Sequence, residues 1–583
     1  MPKRQLGTRL WLVAIAPLLL PAVWAETPKP KPEPRVFSIY PLGEQSGAAY
    51  DATIRGVALH EAQAIWFETD SIHARVDKVY RDPESDPGES TPTYIVNVHV
   101  TVDPGTKPGS YPFRVVTKQG VSNATSMRVT GERTIMQADG STAEPENAPR
   151  LSGFPLVVNG RIAKKGEVNY YSFETQPGEE LSFEVFSGFA PFDPALTIFE
   201  PSGSWFDAYR LNRVAFSDEP LWYPDFSTDT RLVHRFEHGG RFLARVEGFE
   251  GRGSPNDVYQ LRISTGRSAP SLLRALSKPG WQERTFTRHI TADWLERLRE
   301  RGAPAGPRQE LETFSATKEP ASSSPVMKIP GIVEGVISQP GEVHRISFHV
   351  KAQDIVLEVE TPDATMPLFN PVVRVLDSAG HEVATNVYTQ LNNCGGYMMK
   401  MIEPKAIVAF HADGDYILQI HDITTDNADP SFVYRVLIRP QIPHLGKVEV
   451  EEERMNLTPG IARQVSVLTE REEDYSGLVA VSVEGLPPGV VAVTGSAPEE
   501  EKPPLMNGGK VERYFPKSQK SVLLLTAAPD APLTPMPQMA RVIVRAIVEN
   551  KVTQSLATVL VPVMVVATSA ETAASLSAPV GKP

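Results

Sequence analysis

The sequence has few residues that form covalent or metal cross-links and few basic residues. Its 583 residues include one cysteine, Cys394, which excludes a disulfide framework and any zinc site built from several cysteines. Only 58 Lys and Arg stand against 70 Asp and Glu, for a formal net charge of −12. This balance argues against a nucleic-acid partner, because nucleic-acid phosphates attract basic surfaces.

Long apolar runs are also scarce. The first, from Leu10, is interrupted by Pro17 and Pro21 and is shorter than the roughly 20 residues needed to span a bilayer. It follows three basic residues and ends in Ala-Val-Trp-Ala at 22–25, which predicts a secretory signal cleaved after Ala25; the alternative is a membrane anchor. A late apolar run at 556–567 is also short and indicates a final strand. We therefore expect an exported chain with no membrane span after cleavage.

The dominant hydrophobic period along the rest of the chain is two. Apolar and polar residues alternate in several segments, as in half-buried strands. Examples lie at Tyr94–Val100, Leu181–Val185, Val356–Val359 and Gln464–Leu468. Turn signals such as Asp-Pro-Gly and Pro-Ser-Gly separate such segments. Short strands at this spacing predict an all-β fold of tandem β-sandwich domains.

Proline and serine clusters predict the domain boundaries. The predicted order is a signal peptide (1–25), a Pro-rich linker (26–34), a sandwich (35–131), an acidic linker (132–153), a sandwich (154–265), a linker with a helix at about 291–301 (266–328), a sandwich (329–440), a sandwich (446–567) and a disordered tail (568–583). The helix has apolar and arginine-rich sides, so it is either an inter-domain spacer or a docking helix.

Two of the predicted sandwiches repeat each other. Residues of the first copy recur 175 positions later in the second copy, and later matches keep the same order over about 100 residues. The leading matches are Gly160, Gly166, Glu167, Val168, Ser172 and Phe173 with Gly335, Gly341, Glu342, Val343, Ser347 and Phe348. Chance alternation would not preserve the glycines, so we infer duplication of one β-domain.

Both copies resemble the bacterial pre-peptidase C-terminal (PPC) domain, a small jelly-roll-type β-sandwich of secreted proteins. The first copy carries the resemblance at Asn159–Ile162, Gly166–Phe173, Asp193–Leu196, Gly240–Leu243 and Val258–Leu261. The resemblance implies adhesive or accessory work, because the PPC family is itself not catalytic and usually accompanies an enzyme domain.

The flanking sandwiches resemble immunoglobulin-like domains. The N-terminal one is similar to TIG/IPT domains at Tyr40-Pro41, Gly47, Gly56, Ile65–Phe67, Pro108-Gly109 and Gly120–Asn123. Residues 446–567 are similar to the immunoglobulin-like modules of large bacterial exported proteins, on Asn456–Gly460 and Glu484–Gly489.

No catalytic constellation is evident in the sequence. A Gly-x-Ser-x-Gly elbow is absent, and Cys394 lacks the flanking signature of a thiol protease. His344 and His349 are five residues apart in a predicted strand, so they point to opposite faces and do not form a zinc pair. We therefore expect a protein that is not an enzyme.

The PPC resemblance also implies one candidate metal site. In calcium-binding members of that family an acidic linker meets a Gly-Asp-x-Asp-Tyr loop. The residues at matching positions are Glu144, Glu146 and Asn147 in the linker, with Glu167 and Asn169 in place of the two Asp. The neutral Asn169 should weaken the affinity, since ligand charge largely sets it. The alternative is a set of solvated acidic residues, so calcium stays a possible cofactor only.

Aromatic residues are concentrated at 189–226, where ten occur against about three expected from the 8% average. Phe192 and Phe199 lie on or beside strand patterns and are predicted core residues. The remaining rings fall in turn-rich stretches and could stack on sugars or anchor a protein partner. The candidate ligand-binding residues are Trp205, Tyr209, Trp222 and Tyr223. The alternative is a satellite core that buries these rings.

The sequence thus predicts an exported, non-catalytic binding or adhesion protein that acts at the cell surface, outside the cell or in the periplasm. Its partner would be an extracellular protein or polysaccharide. One alternative is an accessory or targeting subunit of a separate secreted hydrolase, a peptidase or a glycosidase. A third reading is a hydrolase of an unfamiliar type.

Overall fold

The computed structural model is nearly all β-structure. Strands make up most of the described residues, none of which forms an α-helix. The predicted all-β, tandem-sandwich fold is confirmed. The structure describes residues 32–85, 91–137, 143–188, 192–202, 210–218, 230–266, 312–316, 326–360, 369–391, 398–402, 405–423, 428, 430, 432–500, 517–548 and 551–567. The predicted helix at about 291–301 lies outside these ranges, as do the signal segment and the predicted tail. A helix that is long and apolar enough to cross a membrane is not found in the described residues.

The first sandwich packs two sheets around an aliphatic core. Its strands are β1 (Arg35–Tyr40), β2 (Gly43–Gln45), β3 (Ala49–Val57), β4 (Ala62–Phe67), β5 (Ile72–Arg81), β6 (Thr93–Val102), β7 (Gly109–Thr117), β8 (Gly120–Val121) and β9 (Thr125–Thr130). The sheet orders are β1-β3-β6-β5 and β2-β9-β7-β4, with β8 paired to β7. The alternating segment in β6 places Val96, Val98 and Val100 in the core.

The second sandwich has an aromatic core. Its strands are β10 (Arg133–Met136), β11 (Leu156–Arg161), β12 (Val168–Thr175), β13 (Glu180–Ser187), β14 (Pro194–Ser202), β15 (Arg210–Ser217), β16 (Thr230–Arg235), β17 (Gly240–Gly248) and β18 (Val258–Thr265). The sheet orders are β10-β11-β18-β13-β16 and β12-β17-β14-β15. Phe173 lies between the sheets, with its ring centroid 5.3 Å from that of Phe183 and 6.1 Å from that of Phe242.

The third sandwich repeats this arrangement. Its strands are β19 (Glu312–Ser315), β20 (Gly331–Val336), β21 (His344–Val350), β22 (Gln353–Glu360), β23 (Pro371–Leu376), β24 (Glu382–Thr385), β25 (Val387–Leu391), β26 (Met398–Ile402), β27 (Lys405–Phe410), β28 (Gly414–Asp422) and β29 (Val433–Pro440). The sheet orders are β19-β20-β29-β22-β27 and β21-β28-β23-β24, and β25 pairs with β26. The two large sheets therefore have the same connectivity as those of the second sandwich, as duplication requires.

The fourth sandwich is formed by long strands. They are β30 (His444–Val450), β31 (Met455–Leu457), β32 (Ala462–Glu472), β33 (Leu478–Glu484), β34 (Val490–Glu500), β35 (Lys517–Ala527), β36 (Gln538–Val548) and β37 (Lys551–Val565). The sheet orders are β30-β32-β35-β34 and β31-β37-β36-β33. The late apolar run forms the end of β37, as predicted from the sequence.

Two strands lie in segments that the sequence predicts as linkers. β10 falls within 132–153 and β19 falls within 266–328, and each pairs in parallel with the first strand of the following sandwich. The linker prediction is wrong for these residues. Each strand is only four residues long, so its hydrophobic period is too short to stand out beside the neighbouring polar residues. The fourth sandwich likewise begins at His444, two residues before its predicted boundary.

Candidate functional site

The linker residues proposed for calcium lie on the surface beside a short 3-10 turn, Pro145–Asn147. Glu144, Glu146 and Asn147 are all exposed, and the backbone N–H of Asn147 donates to the carbonyl of Glu144 at 3.1 Å. The turn therefore satisfies its own backbone and leaves the two carboxylates in solvent.

At the two loop positions of that candidate site, the side chains of Glu167 and Asn169 form hydrogen bonds within the protein. The Glu167 carboxylate accepts the backbone N–H of Lys164 at 2.9 Å. Asn169 is 1% exposed, and its amide pairs with Gln137 and donates to the Tyr259 hydroxyl at 3.0 Å. Among the described residues no group of three or more His, Cys, Asp or Glu side chains could hold a metal ion. Calcium binding therefore stays a prediction from the sequence, and the described residues do not supply a cluster of ligands for it.

The second copy has a charged network at the same position in the fold. His344 replaces Asn169, and its ring nitrogens lie 2.7 Å from the Tyr434 hydroxyl and 2.6 Å from a Glu342 carboxylate oxygen. Burial raises the pKa of Tyr434 well above its usual range. All three side chains are at most 9% exposed, so this carboxylate, imidazole and phenol cross-link the sandwich and do not present a reactive atom to solvent. His349 is exposed, in accord with the predicted opposite faces.

The aromatic candidates Trp205, Tyr209, Trp222 and Tyr223 all lie outside the described residues. By chain position, two of them precede β15 and two follow it, and β15 is the edge strand of its sheet. The eight residues of β15 extend about 25 Å, so the first and last residues of this strand are that far apart. The predicted core residues Phe192 and Phe199 are buried, as expected.

A buried ion cluster joins the third and fourth sandwiches. Lys405 of β27 lies 2.9 Å from Glu472 and 2.7 Å from Glu473, and Arg439 of β29 forms two hydrogen bonds to Glu473 at 2.5 and 2.8 Å. Burial alone would raise the pKa of Glu473, but the two cations outweigh it and hold this pKa at about 2. Burial lowers the pKa of the neighbouring His444. Sequence analysis missed this cluster, because its members are separated by up to 68 positions.

The first and second sandwiches are joined by an analogous contact. Arg262 of β18 donates to Glu132 at 2.6 and 2.8 Å and to the buried Glu184 of β13 at 2.8 Å. The Asn159 amide donates to the Gly43 carbonyl at 2.9 Å. The two copies share part of this arrangement, because Glu184 lies directly opposite Arg231 and Glu358 directly opposite Lys405 in the neighbouring strands.

The first and fourth sandwiches also contact each other, although more than 300 residues separate them. The Asn456 amide pairs with both backbone groups of Val121, at 2.9 and 3.0 Å. Glu33 forms ion pairs with Arg454 at 3.2 Å and Arg463 at 2.6 Å. A small apolar cluster of Val116, Val121, Met564 and Val566 completes the contact. The first sandwich therefore packs against the last, which a simple linear string of domains would not allow.

An apolar surface is exposed at a sheet edge of the fourth sandwich. Val491 and Val493 of β34 are 59% and 60% exposed, and Leu524, directly opposite Val493 on β35, is 43% exposed. These three side chains share the outer face of the sheet, and we call them the apolar edge surface. The inner face of the same strands is core, with Leu523 and Leu525 buried. Exposed apolar groups clustered on an edge strand are characteristic of interaction sites.

Comparisons with known proteins identify no family. No family model matches the sequence, and no curated protein matches it. Among solved structures, the secreted serine protease VesC from Vibrio cholerae is 10% identical, with a TM-score of 0.13, over 40% of this chain and 51% of VesC. The tandem CBM22 domains of Paenibacillus barcinonensis Xyn10C are 10% identical, with a TM-score of 0.12, over 68% of this chain and 98% of theirs. Domains 1–6 of the surface layer protein SbsC are 9% identical, with a TM-score of 0.15, over 92% of this chain and 55% of that protein.

This chain thus spans about half the length of VesC, and 41% of tripeptidyl peptidase 2, another of the similar structures. Similarity at these TM-scores carries no argument about function.

Proposed function

We propose that this chain is an exported, non-catalytic binding protein that holds a protein partner at or outside the cell surface. The observation that carries the proposal is the apolar edge surface of Val491, Val493 and Leu524. The resemblance of the two repeats to PPC domains agrees with it, because that family is itself not catalytic.

The energetics of the apolar edge surface favour a protein partner. Fully burying an aliphatic side chain contributes about 1.5–3 kcal/mol, so three side chains that are roughly half exposed contribute about 3 kcal/mol when covered. This equals about two orders of magnitude in affinity. The aliphatic side chains of this sheet face match the apolar side chains of another polypeptide.

The junctions between sandwiches support the same role. The ion cluster around Glu473 and the Asn456 contact with Val121 hold the fourth sandwich on two sides. Because both contacts are buried, the apolar edge surface is presented in a fixed orientation. A preorganised surface loses less entropy when a partner binds.

The test is affinity capture of exported host proteins with the full chain and with a Val493→Asp variant. We expect a partner that the wild type captures and the variant loses, because a charge in the apolar edge surface would have to be desolvated. Leu478→Asp is the matched control, since Leu478 is 67% exposed on β33, the edge strand of the opposite sheet. Equal thermal melting of the three proteins verifies that folding is intact.

Three outcomes would contradict the proposal. Capture that is equal for the wild type and Val493→Asp would remove the apolar edge surface from the function. A single stoichiometric enzyme partner would assign the chain as an accessory subunit of a hydrolase. Binding on a glycan array that disappears with Trp222→Ala would instead assign sugar recognition to the aromatic segment.

A further inference from the structure

We propose that the contact between the first and fourth sandwiches binds a tetrahedral oxyanion, phosphate or sulfate, between the guanidinium groups of Arg114 and Arg454. This inference goes beyond the proposed function, because the site contains no residue of the apolar edge surface. Three observations support it: the hydrogen-bond donors of the two arginines, the balance of charge around them, and the change in exposure across the contact.

The Arg114 guanidinium, on β7, lies in the interior of this contact. The residue is 6% exposed, and its Nη1 donates to the Ser122 carbonyl at 3.1 Å. Among the described residues, its buried Nε has no hydrogen-bond partner. The Nε side of a guanidinium is a planar fork that matches two oxygens of an oxyanion. Because arginine stays charged when it is buried, an anion on this fork offsets the cost of desolvation.

Arg454 belongs to the fourth sandwich and has the same feature. The part of the chain that the structure describes supplies no hydrogen-bond partner for its buried Nε. Two positions along the chain, the Asn456 amide bonds to both backbone groups of Val121. The next residue, Ser122, accepts the hydrogen bond from Arg114. The two arginines therefore lie at the same contact, where two buried N–H groups need acceptors.

Cations outnumber carboxylates by one around the two arginines. The other groups whose charges act on them are Arg35, Arg463, Glu33, Glu68 and Glu453. Burial lowers the pKa of Arg114, and the positive charge of Arg454 acts in the same direction. The two cations therefore repel each other, and an anion between them replaces this repulsion with attraction to both.

Exposure increases from Arg114 toward the solvent side of the contact. The side chain of Arg454 is 16% exposed and that of Arg463 is 31% exposed. Glu33 pairs with Arg454 at 3.2 Å and with Arg463 at 2.6 Å, which holds both arginines in place. An anion can therefore approach from solvent past Arg463 and reach the buried Arg114.

The two arginines favour a tetrahedral oxyanion over a carboxylate. A carboxylate has two oxygens and is matched by one guanidinium fork. Phosphate and sulfate have four oxygens, so that two remain for Arg454 after the first two have paired with Arg114. Bidentate contacts from arginine are characteristic of phosphate recognition. A free anion and a phosphate group on a larger molecule share this chemistry.

The carboxylates of Glu68 and Glu453 are the alternative partners for Arg114. Both residues are exposed, and both raise the pKa of Arg114 against the effect of its burial. The hydrogen bond that the structure describes for Arg114 goes to Ser122 instead. Since a bound anion would be repelled by these carboxylates, neutralising Glu68 should strengthen anion binding.

Equilibrium dialysis with radiolabelled inorganic phosphate tests the site on the full-length protein at constant ionic strength. We expect the wild type to bind one phosphate per chain. Arg114→Lys should bind roughly tenfold more weakly, because lysine keeps the charge and loses the fork. Arg454→Gln should weaken binding to a similar degree, and Glu68→Gln should strengthen it. The matched control is Arg374→Gln, since Arg374 is 42% exposed in an ion pair of the third sandwich.

Competition experiments test the class of ligand. Sulfate should displace the labelled phosphate, and acetate at the same concentration should not. Displacement by acetate as effective as that by sulfate would overturn the assignment of a tetrahedral ligand. Glycerol phosphate distinguishes the two sources: displacement supports a phosphate group on a larger molecule, and failure to displace supports a free anion.

Two results would overturn the inference as a whole. One is a wild type that binds no phosphate, or binds it as strongly as it is bound by both Arg114→Lys and Arg454→Gln. The other is binding by Glu68→Gln alone, which would make the Glu68 carboxylate the partner of Arg114. Thermal melting verifies that each variant is folded, and the more exposed Arg454 keeps the test valid if Arg114→Lys is not. The capture experiment with Val493→Asp is independent, so either proposal can fail without the other.

Discussion

At the scale of single residues, the repeated glycines have a structural explanation. Gly160 pairs directly with Tyr259 on the neighbouring strand, and Gly335 pairs with Tyr434 in the same way. A Cβ on Gly160 would lie 2.7 Å from the ring carbon Cε2 of Tyr259, closer than real contacts allow. Each tyrosine lies over its glycine and extends its hydroxyl to a buried polar partner. Glycine is therefore required at these positions by close packing.

Gly160→Ala should destabilise the second sandwich by about 1–3 kcal/mol, the usual cost of overpacking a core. Gly335→Ala should do the same in the third sandwich. Thermal or urea unfolding measures both effects. Gly131→Ala is the control, because an added carbon there meets only Pro108 at 3.5 Å. Unchanged stability of Gly160→Ala would mean that the tyrosine ring moves aside at no cost.

The polar partner of each tyrosine could not be predicted from the sequence. Position 169 is Asn and its counterpart is His344, and the two use different neighbours. The Asn169 amide pairs with Gln137, whereas His344 pairs with Glu342. The sequence predicted Glu167 and Asn169 as calcium positions from a family resemblance. In the structure the Asn169 side chain points inward. Its buried amide needs hydrogen-bond partners for both its oxygen and its nitrogen, and Gln137 and Tyr259 provide them.

At the scale of elements, period-two alternation identified strands wherever one face is buried and the other is half-exposed. The segments within β6, β13, β22 and β32 are all strands. Alternation fails for the four-residue strands β10 and β19, which each form the first strand of a sheet. β10 pairs in parallel with β11, which itself pairs with β18, so the position of β10 is set by tertiary contacts.

Ile135→Pro should break this pairing, because proline removes a ladder hydrogen bond. Alternate residues of β10 face β11, and the N–H of Gln137, two positions after Ile135, donates to the Asn159 carbonyl at 2.8 Å. Hydrogen exchange should be at least tenfold faster at the β11 amides that face β10, while the amides that face β18 stay protected. Ile135→Ala is the matched control, since it shortens the side chain and keeps the backbone N–H. Equal exchange in the two variants would show that β10 contributes nothing to the sheet.

The exposed edge of β34 is another property of elements. Its first residues, Val490 to Val493, are all apolar, so the sequence does not show which of these side chains face the core and which face solvent. The order of strands in the sheet determines which side chains face solvent. Val490 is buried, whereas Val491 and Val493 face outward at the end of the sheet.

At the scale of the whole molecule, buried polar contacts fix the sandwiches to one another. Lys405, Arg439 and Glu473 are each at most 7% exposed. Removing one member of such a cluster leaves a buried charge without compensation, which typically costs several kcal/mol. These contacts favour a single arrangement of the third and fourth sandwiches.

The ion cluster predicts that this junction weakens in acid. The pKa of Glu473 is about 2 in the folded chain, below its ordinary value, so the stability it contributes is present above about pH 4.5 and is lost as the pH falls toward 2. Burial lowers the pKa of His444 although the carboxylates of Glu473 and Glu472 act in the opposite direction, so the folded state loses stability as the pH drops below about 6.5. Both effects have the same sign, and stability should be greatest near neutral pH.

Melting temperatures between pH 3 and pH 7 measure this dependence. Glu473→Gln should lower the melting temperature at pH 7 and flatten its slope below pH 4.5. His444→Phe should flatten the slope between pH 5 and pH 6.5 alone. Glu174→Gln is the control, because that carboxylate is 57% exposed in a surface ion pair. A wild-type slope that Glu473→Gln leaves unchanged would place the acid sensitivity elsewhere.

The fold class and the duplication could be predicted from the amino-acid sequence, because alternation and turn residues act over a few neighbouring positions. It also predicted correctly that His344 and His349 point to opposite faces. The contacts between sandwiches and the order of strands in each sheet could not be predicted from it. The contact between Val121 and Asn456 and the cation pairs of Glu473 join residues that no local period relates. Such contacts depend on how completed sheets pack, and packing acts between surfaces that exist only after the strands have formed.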